Sequence, residues 1–90
     1  MPSADLMLLQ NYPNPFNPQT VIKYGLPEDA QVSLVVFDVL GREVLRVLEG
    51  YQKAGYNSAV VDATGLSSGI YFYKLSAGKF TAVRKMVVVK

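Results

Sequence analysis

The chain has 90 residues and a formal net charge of +2, with 50% of its residues hydrophobic and 18% charged. That balance is too apolar for a disordered chain and the length too short for more than one domain, here read as 1–90. Cysteine, histidine and tryptophan are absent, which excludes disulfides, thiolate nucleophiles, Cys-ligated zinc, iron–sulfur clusters and the usual general base.

The charge is unevenly placed. Residues 1–62 hold seven acids and four bases, whereas residues 63–90 hold Lys74, Lys79, Arg84, Lys85 and Lys90 and no acid. A basic end of this kind serves either as a solvated strand face that discourages edge pairing or as a docking surface for an acidic partner. A net charge this small does not point to nucleic acid. No stretch approaches the ~20 apolar residues of a membrane-spanning helix. The first ten residues lack a basic start and carry Asp5, so they do not read as a signal peptide. Met1-Pro2-Ser3-Ala4 reads as an artificial start, which makes the 90 residues an excised piece of a longer protein.

All five prolines precede residue 28. The run Asn11-Tyr12-Pro13-Asn14-Pro15-Phe16-Asn17-Pro18 excludes helix and central strand, because each proline removes a donor and pushes its predecessor to extended geometry. It predicts an extended edge arm over residues 5–19, held to the domain body by Tyr12 and Phe16 as apolar anchors. Beyond it, residues 20–90 alternate short β-rich runs with turns. Thr20–Leu26 places Ile22, Tyr24 and Leu26 on one face, and Gln31–Phe37 does the same with Val32, Leu34 and Val36. Asp38-Val39-Leu40-Gly41 predicts a hairpin connection, with Gly41 in a left-handed turn conformation. Arg42–Leu48 returns with Val44 and Leu48 inward, or Val47 if a bulge intervenes. Glu49–Gly55 reads as a polar loop. Tyr56–Asp62 points Ala59 and Val61 inward, and Leu66 plugs the following loop. Gly69 opens a strand with Tyr71, Tyr73 and Leu75 inside. Ala77-Gly78 makes a tight turn, and Phe80–Val89 closes the chain with Met86 and Val88 inside.

No window carries a helical apolar stripe of helical length; Leu40–Leu48 comes nearest, but its branched residues and flanking glycines favour strand. With Leu6–Gln10 this makes about seven strands and predicts an all-β, immunoglobulin-like antiparallel sandwich with a proline-rich edge arm. Tyr24, Tyr71 and Tyr73 supply the bulk that paired cysteines and a tryptophan provide in antibody domains.

The acids are scattered through turns and strand ends, where aspartate bonds its own backbone, rather than paired as acid–base catalysis requires. Asp38 or Asp62 with loop carbonyls is the one set that suits calcium, without EF-hand spacing. Ser67 and Ser68 precede Gly69, but no histidine accompanies them. The sequence therefore assigns no catalytic residue, no metal ligand and no cofactor. Tyr51, Tyr56 and Phe72 are candidate outward aromatics of the kind that stack on sugars.

Three stretches together resemble a known family. They are the arm Tyr12–Pro18 followed by Thr20-Val21-Ile22-Lys23-Tyr24, the hairpin Val36–Val44, and the ending Ser68–Leu75 with Arg84-Lys85-Met86-Val87. In this order they resemble the type A C-terminal sorting domains of the type IX secretion system, over roughly residues 8–90. The resemblance implies a non-catalytic immunoglobulin-like domain at the C-terminus of a larger exported protein. In that family Sec carries the cargo to the periplasm. The domain then directs it through an outer-membrane translocon to the cell surface, where processing and attachment proteins act on it. The implied signal residues are Pro13, Asn14, Pro15, Asn17 and Pro18 in the arm, Asp38, Gly41 and Arg42 in the hairpin, and Gly69, Tyr71 and Lys85 in the ending. Packing and turn geometry already require Gly41, Gly69 and Tyr71, whereas Lys85 is expected on the face opposite Met86 and Val88. The immunoglobulin-like domain of flagellar hook-capping proteins shares the hairpin and the Gly-x-Tyr-x-Tyr ending. The alternative reading is thus a structural assembly or carbohydrate-binding module.

Overall fold

The computed structural model describes residues 6–90, so the expectations on Met1–Ala4 and Asp5 lie outside the described residues. Seven strands form: β1 Met7–Leu8, β2 Gln19–Leu26, β3 Ala30–Phe37, β4 Glu43–Gln52, β5 Gly55–Asp62, β6 Gly69–Ala77 and β7 Phe80–Val88. They build one sheet in the order β1-β2-β5 and another in the order β4-β3-β6-β7, with neighbouring strands antiparallel throughout. The two sheets face each other as an immunoglobulin-like sandwich. In the constant-type arrangement the fourth strand sits beside the fifth; here it pairs with the third. The short connection between β3 and β4 enforces that placement, since a tight hairpin keeps its two strands adjacent.

The core follows the predicted alternation. Ile22, Tyr24 and Leu26 from β2 meet Val32, Leu34 and Val36 from β3, Val61 from β5, Tyr71, Tyr73 and Leu75 from β6, and Met86 and Val88 from β7. Leu66 packs against this cluster from its loop, as expected of a plug. Tyr71 lies at the start of β6, and its hydroxyl donates to the Ser67 carbonyl at 2.8 Å. This is the tyrosine corner of the fold. Two residues on, Tyr73 fills the position that the second core cysteine takes in antibody domains.

Two expectations are corrected. Glu49–Gly55 is not a loop: β4 continues to Gln52 opposite Ala30, Gln31 and Val32, leaving only a short turn before β5. The partner strand supplies the missing hydrogen bonds, which the polar composition of the segment does not reveal. Tyr12 is no anchor either, since it is 81% exposed while Phe16 is 3% exposed.

The strand β4 also explains its own ambiguous periodicity. Leu34 opposes Leu48, Val35 opposes Arg46, Val36 opposes Leu45 and Phe37 opposes Glu43, so that Val47 and Val44 are extra residues in two bulges. Each bulge advances the side-chain phase by one residue. Val44, Leu45, Val47 and Leu48 consequently all pack against the core, while Glu43, Arg46 and Glu49 all point outward. Arg46 bonds Glu43 at 2.9 Å and lies 3.5 Å from Glu49. The three-residue spacing of these outward charges is that of a doubly bulged strand.

Burial separates two classes of apolar residue, and their truncation separates them in turn. Leu34→Ala removes a fully buried side chain and is expected to lower unfolding free energy by about 3 kcal/mol in urea titrations. Val60→Ala, at a position 61% exposed, is expected to change it by less than about 0.5 kcal/mol.

Candidate recognition surface

The arm is fixed by a polar knot built on Asn11. The Asn11 backbone N–H donates to the Tyr73 hydroxyl at 2.9 Å, and that hydroxyl donates onward to the Leu9 carbonyl at 2.7 Å. The Asn11 side-chain amide donates to the Pro13 carbonyl at 3.1 Å and to Thr20 Oγ1 at 3.0 Å, and Thr20 Oγ1 donates to the same Pro13 carbonyl at 2.7 Å. Asn11 and Thr20 are the buried polar side chains of the described residues. With their partners in place neither leaves an unpaired group in the interior. Burial pushes the Tyr73 phenol above its ordinary pKa, against the hydrogen bond from Asn11 and the charge of Arg84. The hydroxyl thus keeps the proton that it donates to Leu9. Sequence reasoning missed Asn11. An asparagine opening an Asn-Pro run reads as turn chemistry, and its burial depends on a tyrosine 62 residues away.

Beyond this knot the arm runs along the free edge of β7. Asn14 Oδ1 accepts from the Val87 N–H at 2.9 Å, the Phe16 N–H donates to the Val87 carbonyl at 3.1 Å, and the Val89 N–H donates to the Phe16 carbonyl at 2.9 Å. Gln10 Nε2 reaches the Lys85 carbonyl at 2.7 Å. The Lys85 carbonyl, both backbone groups of Val87 and the Val89 N–H are therefore bonded by the arm, which covers that half of the edge against other chains. The peptide bonds preceding Pro13, Pro15 and Pro18 are cis. Pro15 and Asn17 are exposed, and the Pro18 carbonyl accepts from the Ala63 N–H at 2.8 Å.

The middle motif is a three-residue hairpin loop. The Gly41 N–H donates to the Asp38 carbonyl at 3.0 Å and the Asp38 N–H to the Arg42 carbonyl at 2.9 Å, with Gly41 at φ +81°. This is a type I turn closed by a left-handed glycine, where a Cβ is disfavoured. The Asp38 carboxylate organises the loop from inside. One oxygen accepts from the backbone N–H groups of Leu40 and Arg42, both at 2.9 Å, and the other accepts from Arg42 Nε at 2.8 Å. These bonds, led by that from the Arg42 backbone, hold the Asp38 carboxyl below its ordinary pKa. Asp62 is held low chiefly by its bonds from the Thr64 hydroxyl and backbone N–H. Both carboxylates have turn donors already aimed at them, which gives each a structural role.

The terminal motif divides by role. Gly69 pairs with Val88 at the start of β6 with φ +152°, a backbone region that side chains disfavour. Tyr71 is buried and serves the tyrosine corner. Lys85 is exposed, faces away from Met86 and Val88, and makes no ion pair among the described residues. It stands opposite Phe72, which stands opposite Phe37, so one row across the outer face reads Glu43, Phe37, Phe72, Lys85. Lys74 shares this face, whereas Lys79 occupies the β6–β7 turn at the other end of the sandwich and Arg84 donates from Nε to the Leu8 carbonyl. The basic segment is therefore not one patch. Tyr51 lies opposite Gln31 on the outer face of one sheet and Tyr56 opposite Gly25 on the outer face of the other. Phe72 is half-buried, so these three aromatics form no common sugar-stacking platform.

Antiparallel order brings the motifs together. The Asn17-Pro18 end of the arm, the Asp38–Arg42 hairpin, the loop before Gly69 and Lys90 all fall at one end of the sandwich; Lys90 Nζ there bonds the Thr64 carbonyl at 2.7 Å. Leu6 and the turns at 27–29, 53–54 and 78–79 occupy the opposite end, roughly 27 Å away for eight-residue strands. The molecule is thus a small all-β domain with its turn motifs gathered at one end and with Asp38 and Asp62 committed to bonds within their own turns. The chain matches the secretion system C-terminal sorting domain over residues 10–89 and belongs to that family. It is accordingly a sorting domain of type IX secretion, a class that works through the secretion system on an attached exported cargo. No curated protein matches the chain.

Two tests address this architecture. Tyr73→Phe leaves the buried Asn11 N–H without its acceptor and is expected to cost about 1–3 kcal/mol, together with faster hydrogen exchange at Val87 and Val89. For Asp38 the folded pKa lies below the unfolded one. Its contribution is therefore full above the unfolded value of about 4 and is lost as pH falls through the folded value. The stability gap between the native chain and Asp38→Asn, measured by urea titration, is expected to be widest near neutrality and to close in acid.

Proposed function

We infer that the domain is a non-catalytic address: it directs an upstream cargo from the periplasm through the outer-membrane translocon of the type IX system to the cell surface. Processing and attachment proteins of that system are its partners, and it acts as one unit comprising the arm and the sandwich. The observation that carries this reading is polarity. The arm end, the hairpin and the terminal motif share the end of the sandwich opposite Leu6, so a cargo joined ahead of Leu6 leaves the motif end accessible while still attached. The arm is part of the recognised object because it is clipped to the core through Asn11 and to β7 through Asn14 and Phe16. Within the motif set, Asp38, Gly41, Gly69 and Tyr71 build the shape, and Lys85 offers an uncommitted charge.

The test is to fuse residues 5–90 behind a Sec-exported fluorescent protein in a type IX-competent bacterium. Fluorescence is expected at the surface or in the medium, and cargo retained in the periplasm overturns the reading. In the same assay Lys85→Ala is expected to reduce export while leaving the melting temperature unchanged, because its side chain is exposed and unpaired.

A further inference from the structure

The β3–β4 hairpin is built in an unusual way for a surface turn. Its two tip residues are Val39 and Leu40, 66% and 74% exposed, at positions where turns ordinarily carry polar side chains. The tip is rigid, because Asp38 receives two backbone donors and one guanidinium donor from within the loop and Gly41 supplies the left-handed closure. A shallow groove of about 270 Å³ runs from Val39 and Leu40 to Gly69 and Ile70, and Ile70 is itself 45% exposed. Phe37, Phe72 and Val87, all partly exposed, continue the apolar surface across the outer face toward Lys85.

We propose that Val39 and Leu40 are the docking anchor of the domain: they insert into an apolar pocket of a folded protein partner whose rim carries carboxylates. Asp38, Gly41 and Arg42 are then positioning residues that hold the two anchors out. The proposal rests on the sorting reading above and deepens it by assigning the partner's chemistry. Two aliphatic side chains carried on a fixed backbone beside a concave apolar strip suit an apolar anchor, because the loop itself has little conformational freedom left to lose on docking. The charge around them selects the rim. Asp38 is bonded to Arg42, and Arg46 lies between Glu43 and Glu49, whereas Lys74 and Lys85 on the same face make no ion pair among the described residues, so four cations stand against three carboxylates there. A second copy presents the same lysine-flanked surface and is disfavoured by like charge. A bilayer is a poorer occupant: the tip offers about seven side-chain carbons, fewer than the single acyl chain that gives only marginal membrane binding.

The test uses the fluorescent fusion carrying the full chain. Leu40→Ser is expected to reduce export about tenfold or more at unchanged melting temperature, and Leu40→Met to restore it. Leu40→Glu is expected to be exported less well than Leu40→Lys, since the rim is acidic. Export of Leu40→Ser equal to that of the native chain overturns this proposal alone, and failure of the native chain to be exported overturns the sorting reading and the proposal with it. If Leu40→Ser is unstable, the Glu–Lys comparison decides, and better export of the glutamate variant overturns the acidic rim. Flotation of the purified native chain with phosphatidylethanolamine–phosphatidylglycerol vesicles, or its dimerisation in sedimentation, overturns the protein pocket in favour of lipid or a second copy if Leu40→Ser abolishes it.

Discussion

The Tyr73 hydroxyl holds the arm to the sandwich. It sits at the end of a buried side chain in the central part of β6, accepts from Asn11 and donates to Leu9, and so ties ten residues of proline-rich chain to the hydrophobic core. Without a partner both the hydroxyl and the Asn11 N–H are costly in an interior of low polarity. The bond therefore sets arm position by penalty as much as by attraction. Asn11 in turn orients Pro13 and Thr20, and the arm then lies where Asn14 and Phe16 meet β7. The β7 edge of the larger sheet is covered over residues 85–89 as a consequence.

This closure matters for a domain of this size and use. A 90-residue sandwich without disulfides buries a modest share of its surface, and an open terminal strand is a template for unwanted pairing during export. The arm removes that hazard over residues 85–89 while leaving the Lys85 side chain free on the outer face. Backbone protection and side-chain display are separated because successive side chains of a strand point to opposite faces while its edge amides lie in the plane of the sheet.

At the motif end the same economy appears in the hairpin. A carboxylate, a glycine and a guanidinium are spent on the loop's own geometry, and the groups displayed are the apolar pair that they enclose. Asp38, Gly41 and Arg42, which stand out in the sequence, are thus scaffold, and the side chains that they display lie between them. Tyr71 follows this rule, since its hydroxyl is committed to Ser67. Lys85 does not, because nothing in the fold requires its ammonium group.

Strand identity, the inward sets of β2, β3, β6 and β7, the left-handed Gly41 and the outward Lys85 were legible in the sequence, because they follow from period-two alternation and from turn stereochemistry, which are local. The family was legible too, through motifs whose residues are near one another along the chain. What only the tertiary structure decided is non-local. The bulges of β4 depend on how Val35 and Val36 register against Arg46 and Leu45, and the strand character of Glu49–Gln52 depends on the partner strand. Asn11 rather than Tyr12 anchors the arm because a tyrosine hydroxyl 62 residues away awaits it. Hydrogen-bond satisfaction in a core is a property of the assembled neighbours, so a polar residue's burial cannot be read until those neighbours are in place.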